Sequence, residues 1–331
     1  MVTRAPRVGV IGAGERGRQL IRICYELGAL AGVCDVSQPS LREIADTYPD
    51  VELHTGADDL VRAPLEAVLI AAPAELHAEL SLQVLAAGKH VFVEKPFALS
   101  VVDAEAVAAA AVATGLQVFV AHLLIYHPAV RKLRSIIASG AIGRLWHLRS
   151  RRSSLGKLRQ LGSVWWNVAP YDVSLMLALM GEEPTSVVGA QAGWLTTRSP
   201  DAAYADFQFA RCRSAHIEVS WLDPNEMWRC DVFGSEGVIT ISESPSGSRM
   251  TLTGCGARSD ERGMLFAWRG DETEIEFESV EPLREQVVAF LTSMRFGIAA
   301  ETDASEGLAV VRALARADRA SHVNGAVESR A

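Results

Sequence analysis

Three glycines, Gly12, Gly14 and Gly17, follow a short apolar run at 7–11 and open a stretch of helical spacing at 16–27. At such a junction the first glycine permits a tight turn. The second lets backbone N–H groups approach an anion, and the third lets helix and strand pack closely. The N-terminus of the following helix adds partial positive charge. The loop Gly12-Ala13-Gly14-Glu15-Arg16-Gly17 therefore suits the pyrophosphate of a dinucleotide. Asp35 closes a second apolar run at 30–34. A carboxylate there accepts hydrogen bonds from ribose hydroxyls and repels a 2′-phosphate. These residues predict an NAD site, with Arg16 and Arg42 as the cations that keep NADP open.

Holding such a loop takes a parallel sheet. Strand-like runs at 7–11, 30–34, 67–71, 90–93 and 116–121 alternate with helical spacing at 16–27, 41–48, 75–87 and 101–114. That alternation predicts a doubly wound parallel sheet over roughly the first 120 residues. After a helix at 128–139 the pattern changes. Period-two alternation at 203–209, 215–221, 237–241 and 272–277 predicts strands with one buried face, in a large, mostly antiparallel open sheet. Helices are expected at 283–296 and 304–321, the last opened by Asp303 with Glu306 three residues on, a capping-box spacing. The polar stretch 244–262 reads as a loose connection. The expected fold class is α/β, with domains at 1–122 and 123–331 and the final helix packing back on the first.

The 331 residues suit two domains, and 49% hydrophobic content supplies their cores. A formal net charge of −8 argues against nucleic acid or an anionic membrane as partner, while leaving a small anionic substrate open. The five cysteines are odd in number and form no CxxC pair, which fits reduced thiols in the cytoplasm. No signal-peptide core or membrane-spanning run is evident. No metal-ligand spacing is found, since His122 and His127 flank no common helix face.

Further segments carry a resemblance. They are Ala71-Ala72-Pro73 with His77; Gly88 and His90 leading to Glu94-Lys95-Pro96; His122, Tyr126 and Pro128, with Gly140 and Gly143 after them; and Trp165-Trp166-Asn167 with Pro170-Tyr171-Asp172. In this order the chain resembles the Gfo/Idh/MocA (glucose–fructose oxidoreductase / inositol dehydrogenase) oxidoreductases, in particular members acting on nucleotide sugars. The resemblance implies a Rossmann domain, a second α/β domain with an open sheet, an active site between them, and a homodimer or homotetramer. It places Ala72, Pro73, His77, Glu94, Lys95, Pro96 and His122 with the glycine loop and Asp35 at the cofactor. It puts Lys95 beside the nicotinamide and the reacting oxygen, where an ammonium stabilises developing negative charge. Glu94 is expected to orient Lys95, and Pro96 to fix the backbone.

One departure matters. Family members commonly carry Asp/Asn-x-x-x-His in the last segment, whereas here Asn167 is followed by Tyr171. An unperturbed tyrosine titrates near 10, so it suits proton donation to an alkoxide better than proton abstraction. Lys95 and Tyr171 then make a ketone-reducing pair, pointing to a sugar or cyclitol substrate, with a nucleotide-linked ketosugar as the specific expectation. Alternatives are an NAD-using glycosidase and a non-catalytic sugar or dinucleotide sensor. Tyr171 as a packing residue and Asp172 as the acid remain open. Arg149, Arg151, Arg152, Lys157 and Arg159 form a basic stretch that either holds a substrate anion or faces solvent. Trp165 and Trp166 either stack on a ring or pack between elements. On the substrate side the expected residues are Lys95, Arg152, Trp166, Asn167 and Tyr171.

Overall fold

The run Val8–Ile11 is buried along its whole length and forms β1, as a central strand of a parallel sheet does. After it come α1 (Glu15–Glu26), β2 (Leu30–Cys34), α2 (Gln38–Thr47), β3 (Glu52–His54), α3 (Ala57–Arg62) and β4 (Ala67–Ile70). Then follow α4 (His77–Ala86), β5 (His90–Val93), α5 (Val101–Thr114) and β6 (Val118–Val120). The six strands pair in parallel in the order β3-β2-β1-β4-β5-β6. The order reverses between β1 and β4. Loops leaving the carboxyl ends of strands at such a reversal are where open α/β sheets bind ligands.

A second set begins with α6 (Pro128–Ala138), β7 (Leu145–Ser153), α7 (Val164–Val168) and α8 (Pro170–Met180). It continues through β8 (Ser186–Ala192), β9 (Ala202–Gln208), β10 (Ser214–Ser220), β11 (Met227–Gly234), β12 (Gly237–Ser244), β13 (Gly247–Ser259) and β14 (Leu265–Glu274). These eight strands form one sheet in the order β14-β13-β12-β11-β7-β10-β9-β8. Only β7 and β10 pair in parallel. The chain closes with α9 (Pro282–Phe296) and α10 (Ala304–Asn324). The structure is a computed structural model that describes residues 6–155, 163–195 and 199–324. Among the described residues no helix is long and apolar enough to cross a membrane.

Two compact units result. One runs through Tyr126 and includes Val280–Val311; the other comprises His127–Ser279 and the chain from Arg312 onward. The boundary read from sequence leaves 280–311 with the second domain, whereas the contacts group it with the first. The reason is aromatic. Phe92 stacks on Phe119 with ring centres 5.2 Å apart, and Phe290 of α9 meets both edge-on at 5.5 and 5.6 Å. Leu283 and Val287 enter the same core.

The stretch expected as a loose connection is largely β13, paired with β12 and β14. Of its thirteen residues only Met250 and Thr251 are buried, so no alternating apolar signal marks it. Strand alternation also divides the basic stretch of β7. Ser150 and Arg152 face α8, where both reach Asp172. Arg149 and Arg151 project from the opposite face, to Asp231 and Glu218. Lys157 and Arg159 lie outside the described residues.

Candidate functional site

The glycine loop is tight at both ends and open in the middle. Gly12 has φ +98°, and a Cβ there would lie 2.5 Å from the Ala71 carbonyl oxygen. A Cβ on Gly17 would lie 1.8 Å from the Gly12 carbonyl oxygen. At Gly14 nothing lies within 4 Å of the Cβ position. Gly14 is also the N-cap of the twelve-residue α1, and no side chain caps the first-turn N–H groups there. An exposed helix start beside a loop kept bare of side chains fits a pyrophosphate. Glu15 is exposed, and Arg16 is drawn aside: its Nη1 donates to Gln19 at 2.9 Å and its Nε lies 3.5 Å from Glu94 Oε1.

Asp35 sits half-buried at the end of β2. Its Oδ2 accepts the Ala13 N–H at 2.5 Å and its Oδ1 accepts the Ser37 N–H at 2.7 Å. A carboxylate has about four acceptor sites, so two backbone donors leave capacity for hydroxyls. Asp35 thus links the glycine loop to the position where a ribose would be read.

The loops after β4 and β5 are tied together by His77. Its ring is buried at the head of α4, with Nδ1 2.7 Å from the Pro96 carbonyl oxygen and Nε2 2.9 Å from that of Ala72. Pro73 beside it is exposed. The Lys95–Pro96 peptide is cis. Buried Glu94 accepts the Lys95 backbone N–H at 3.3 Å, so it acts on Lys95 through the main chain and on Arg16 through its other oxygen. Lys95 itself is half-buried.

His122, at the end of β6, is fully enclosed, with Nδ1 2.6 Å from Glu306 Oε2. The sequence places both histidines at the cofactor as contacting or structural residues; the His77 ring is buried between the two loops, and the His122 ring is buried against Glu306 of α10. Asp303 caps α10 as its spacing indicates, accepting the Ser305 and Glu306 N–H groups at 2.9 Å each. The Glu306 carboxylate reaches His122.

In the second unit Tyr171 stands half-buried in the first turn of α8, with Asn167 one short helix before it. Pro170 starts α8, and Gly181, at φ +69°, ends it. Asp172 is wholly buried. Its Oδ2 accepts Arg152 Nε at 2.8 Å, and its Oδ1 accepts Ser150 Oγ at 2.6 Å, Trp228 Nε1 at 2.9 Å and Arg152 Nη2 at 3.3 Å. A carboxylate enclosed by four donors is a fixture, which removes Asp172 as the rival acid. The Arg152 guanidinium carbon lies 5.6 Å from the Tyr171 ring centre and 5.0 Å from that of Trp228. Trp166 is half-buried. Its indole N–H donates to Asp318 of α10 at 3.4 Å, and Trp165 is buried against Phe207 with its N–H on the Leu314 carbonyl oxygen.

Residues 6–122 match the model of the Gfo/Idh/MocA oxidoreductase family, NAD-binding Rossmann fold, and residues 130–240 match the Gfo/Idh/MocA C-terminal domain. The chain belongs to the Gfo/Idh/MocA family. Within it, the chain is 28% identical over 235 residues to UDP-N-acetylglucosamine 3-dehydrogenase of Acidithiobacillus ferrooxidans, covering 66% of this chain and 72% of that protein. It is 29% identical over 189 residues to inositol 2-dehydrogenase of Pseudomonas fluorescens, covering 55% of this chain and 56% of that protein. The match therefore spans little more than half of that relative's length. The solved structure of the A. ferrooxidans enzyme superposes with a TM-score of 0.83 at 24% identity, covering 96% of this chain and 98% of that one, a likeness of fold. Three residues of this Gfo/Idh/MocA chain were not singled out from sequence as supports: Glu306 behind His122, and Ser150 and Trp228 behind Asp172. Their signal is a contact between segments far apart in the chain, which spacing does not carry.

Proposed function

We propose that this chain is an NAD-dependent oxidoreductase that reduces the ketone of a sugar, with a nucleotide-linked ketosugar as the substrate class. The observation that carries the cofactor half of the reading is the glycine loop, bare at Gly14 and bonded through Ala13 to the Asp35 carboxylate. Gly12 to Gly17 would hold the pyrophosphate. Asp35 would take the ribose hydroxyls and disfavour a 2′-phosphate, hence NAD over NADP. The loops with Ala72, Pro73 and Lys95, held in register by His77 and Glu94, would line the nicotinamide end. A bound nicotinamide supplies the hydride. Lys95 orients the carbonyl oxygen and stabilises charge on it, and Tyr171 gives that oxygen its proton from Oη. Arg152 and Asn167 would position the sugar. The substrate class is supported by the two relatives named above, one acting on a nucleotide sugar and one on a cyclitol. We further propose a cytoplasmic homodimer or homotetramer.

Calorimetric titration with NADH and NADPH tests the cofactor half. Absence of binding by either removes the reading, and a strong preference for NADPH removes the role of Asp35. Following NADH consumption with 3-keto and 4-keto nucleotide sugars tests the substrate half. Release of free sugar without net change in NADH would identify a glycosidase, and binding without turnover a sensor.

A further inference from the structure

We propose that Arg152, clamped by the buried carboxylate of Asp172, is the positioning residue that makes the Tyr171 phenol acidic enough to give up its proton near neutral pH. This rests on the reading of Tyr171 as proton donor. An isolated tyrosine titrates near 10, about three units from the pH at which a general acid works best in a cell. A fixed positive charge close to the ring stabilises the phenolate and narrows that gap.

Arg152 is placed to supply that charge. Its guanidinium carbon lies over the Tyr171 ring at 5.6 Å and over the Trp228 ring at 5.0 Å, within cation–π range of both. The fork is immobilised by two contacts to Asp172, and Asp172 is in turn held by Ser150 and Trp228. Tyr171 and Asp172 are consecutive on α8 and so point about 100° apart. One helical turn thus presents the phenol to the guanidinium and turns the carboxylate inward. The helix N-terminus adds a smaller contribution of the same sign.

The other charged or titratable groups that face Arg152 are Asp172, Glu243 and His127. Burial works against the charge of Arg152, yet Asp172 more than offsets it and raises the guanidinium pKa. Glu243 of β12 is the second anion, but its side chain is 42% exposed and screened by water. His127, at the cap of α6, is lowered by burial; Glu243 raises it and Arg152 lowers it. It therefore favours the neutral form near pH 7. The Cys230 thiol of β11 is pushed far up by burial and stays neutral. In the step itself Tyr171 Oη would pass its proton to the substrate oxygen, the hydride for the carbonyl carbon being what a bound nicotinamide would supply. The phenolate left behind rests against Arg152 until solvent reprotonates it.

The test is a near-ultraviolet phenolate titration of the full-length protein, taken as the difference between wild type and Tyr171→Phe, which isolates one tyrosine. A midpoint clearly below 10 that rises in Arg152→Gln is expected. A wild-type midpoint at or above 10, or one that Arg152→Gln leaves in place, overturns the proposal. Should Arg152→Gln fold poorly with Asp172 left unpaired, Arg152→Gln with Asp172→Asn removes both charges together, and the midpoint must still rise. In turnover, the alkaline limb should move upward in Arg152→Gln while activity at pH 7 falls about 10-fold, as for one unit of lost acidity. Unchanged activity at pH 7 together with an unmoved limb counts against it. The titration needs no turnover. A low midpoint that rises without Arg152 supports the proposal even where Tyr171→Phe is fully active, a result that would remove only the catalytic reading of the tyrosine.

Discussion

Asp35 and Asp172 are both aspartates beside a proposed ligand position, and they are used in opposite ways. Asp35 takes two backbone donors and stays half-exposed at a strand end. Asp172 takes four side-chain donor contacts and is sealed from water. The first keeps acceptor capacity for a ligand. The second has its capacity taken up by Arg152, Ser150 and Trp228. A carboxylate's role here follows from how many of its lone pairs the fold already occupies.

That contrast is broken or sharpened by four substitutions. The largest effect is expected from Asp172→Ala, which leaves Arg152 with an uncompensated charge and takes the acceptor from the Ser150 hydroxyl. Denaturant unfolding should show a loss of about 3 kcal/mol or more. A loss under about 1 kcal/mol would mean that the clamp is not structural. Tyr171→Phe removes one hydroxyl and keeps the ring. Turnover of a ketosugar should fall about 10²-fold with NADH affinity, read by fluorescence, nearly unchanged. Normal turnover would make the tyrosine a packing residue.

Asp35→Asn should leave stability within about 1 kcal/mol and shift preference toward NADPH by about 10-fold. Equal discrimination in both proteins would show that the charge is not what is read. The smallest effect is at Asp231, on the opposite sheet face from Asp172. Burial pushes its pKa up, but hydrogen bonds from Arg229, Thr240 and Arg149 outweigh burial and hold it below the usual aspartate range. Its contribution is therefore present above about pH 4 and is lost as pH falls through the lower folded-state value. Because both arginines are half-exposed, about 1 kcal/mol is expected. Asp231→Asn should flatten acid unfolding in that window, and an unchanged acid limb would remove this assignment.

What the sequence disclosed follows the range of the interactions involved. Gly12 and Gly17 are legible because each answers a steric demand within a few residues, and Asp303 because a cap acts within one turn. The parallel sheet is legible because its strands are buried runs between helices. β13 is not, since most of it is solvated on both faces and period-two apolarity has nothing to record. The basic stretch of β7 reads as one cluster along the chain, yet alternation sends Arg152 one way and Arg149 and Arg151 the other. The His77 bridge, the Glu306–His122 pair and the donors around Asp172 join residues brought close only by the fold. The same holds for the return of 280–311 to the first unit.

That return sets a timetable for synthesis. Phe92 and Phe119 leave the ribosome early, but Phe290, which covers their edges, emerges only after the whole second sheet has been made. At about 5–20 residues per second, the first unit waits roughly 10 to 40 s with an aromatic face uncovered. The nascent chain is sticky during that interval, and the second sheet has time to assemble before the first is complete.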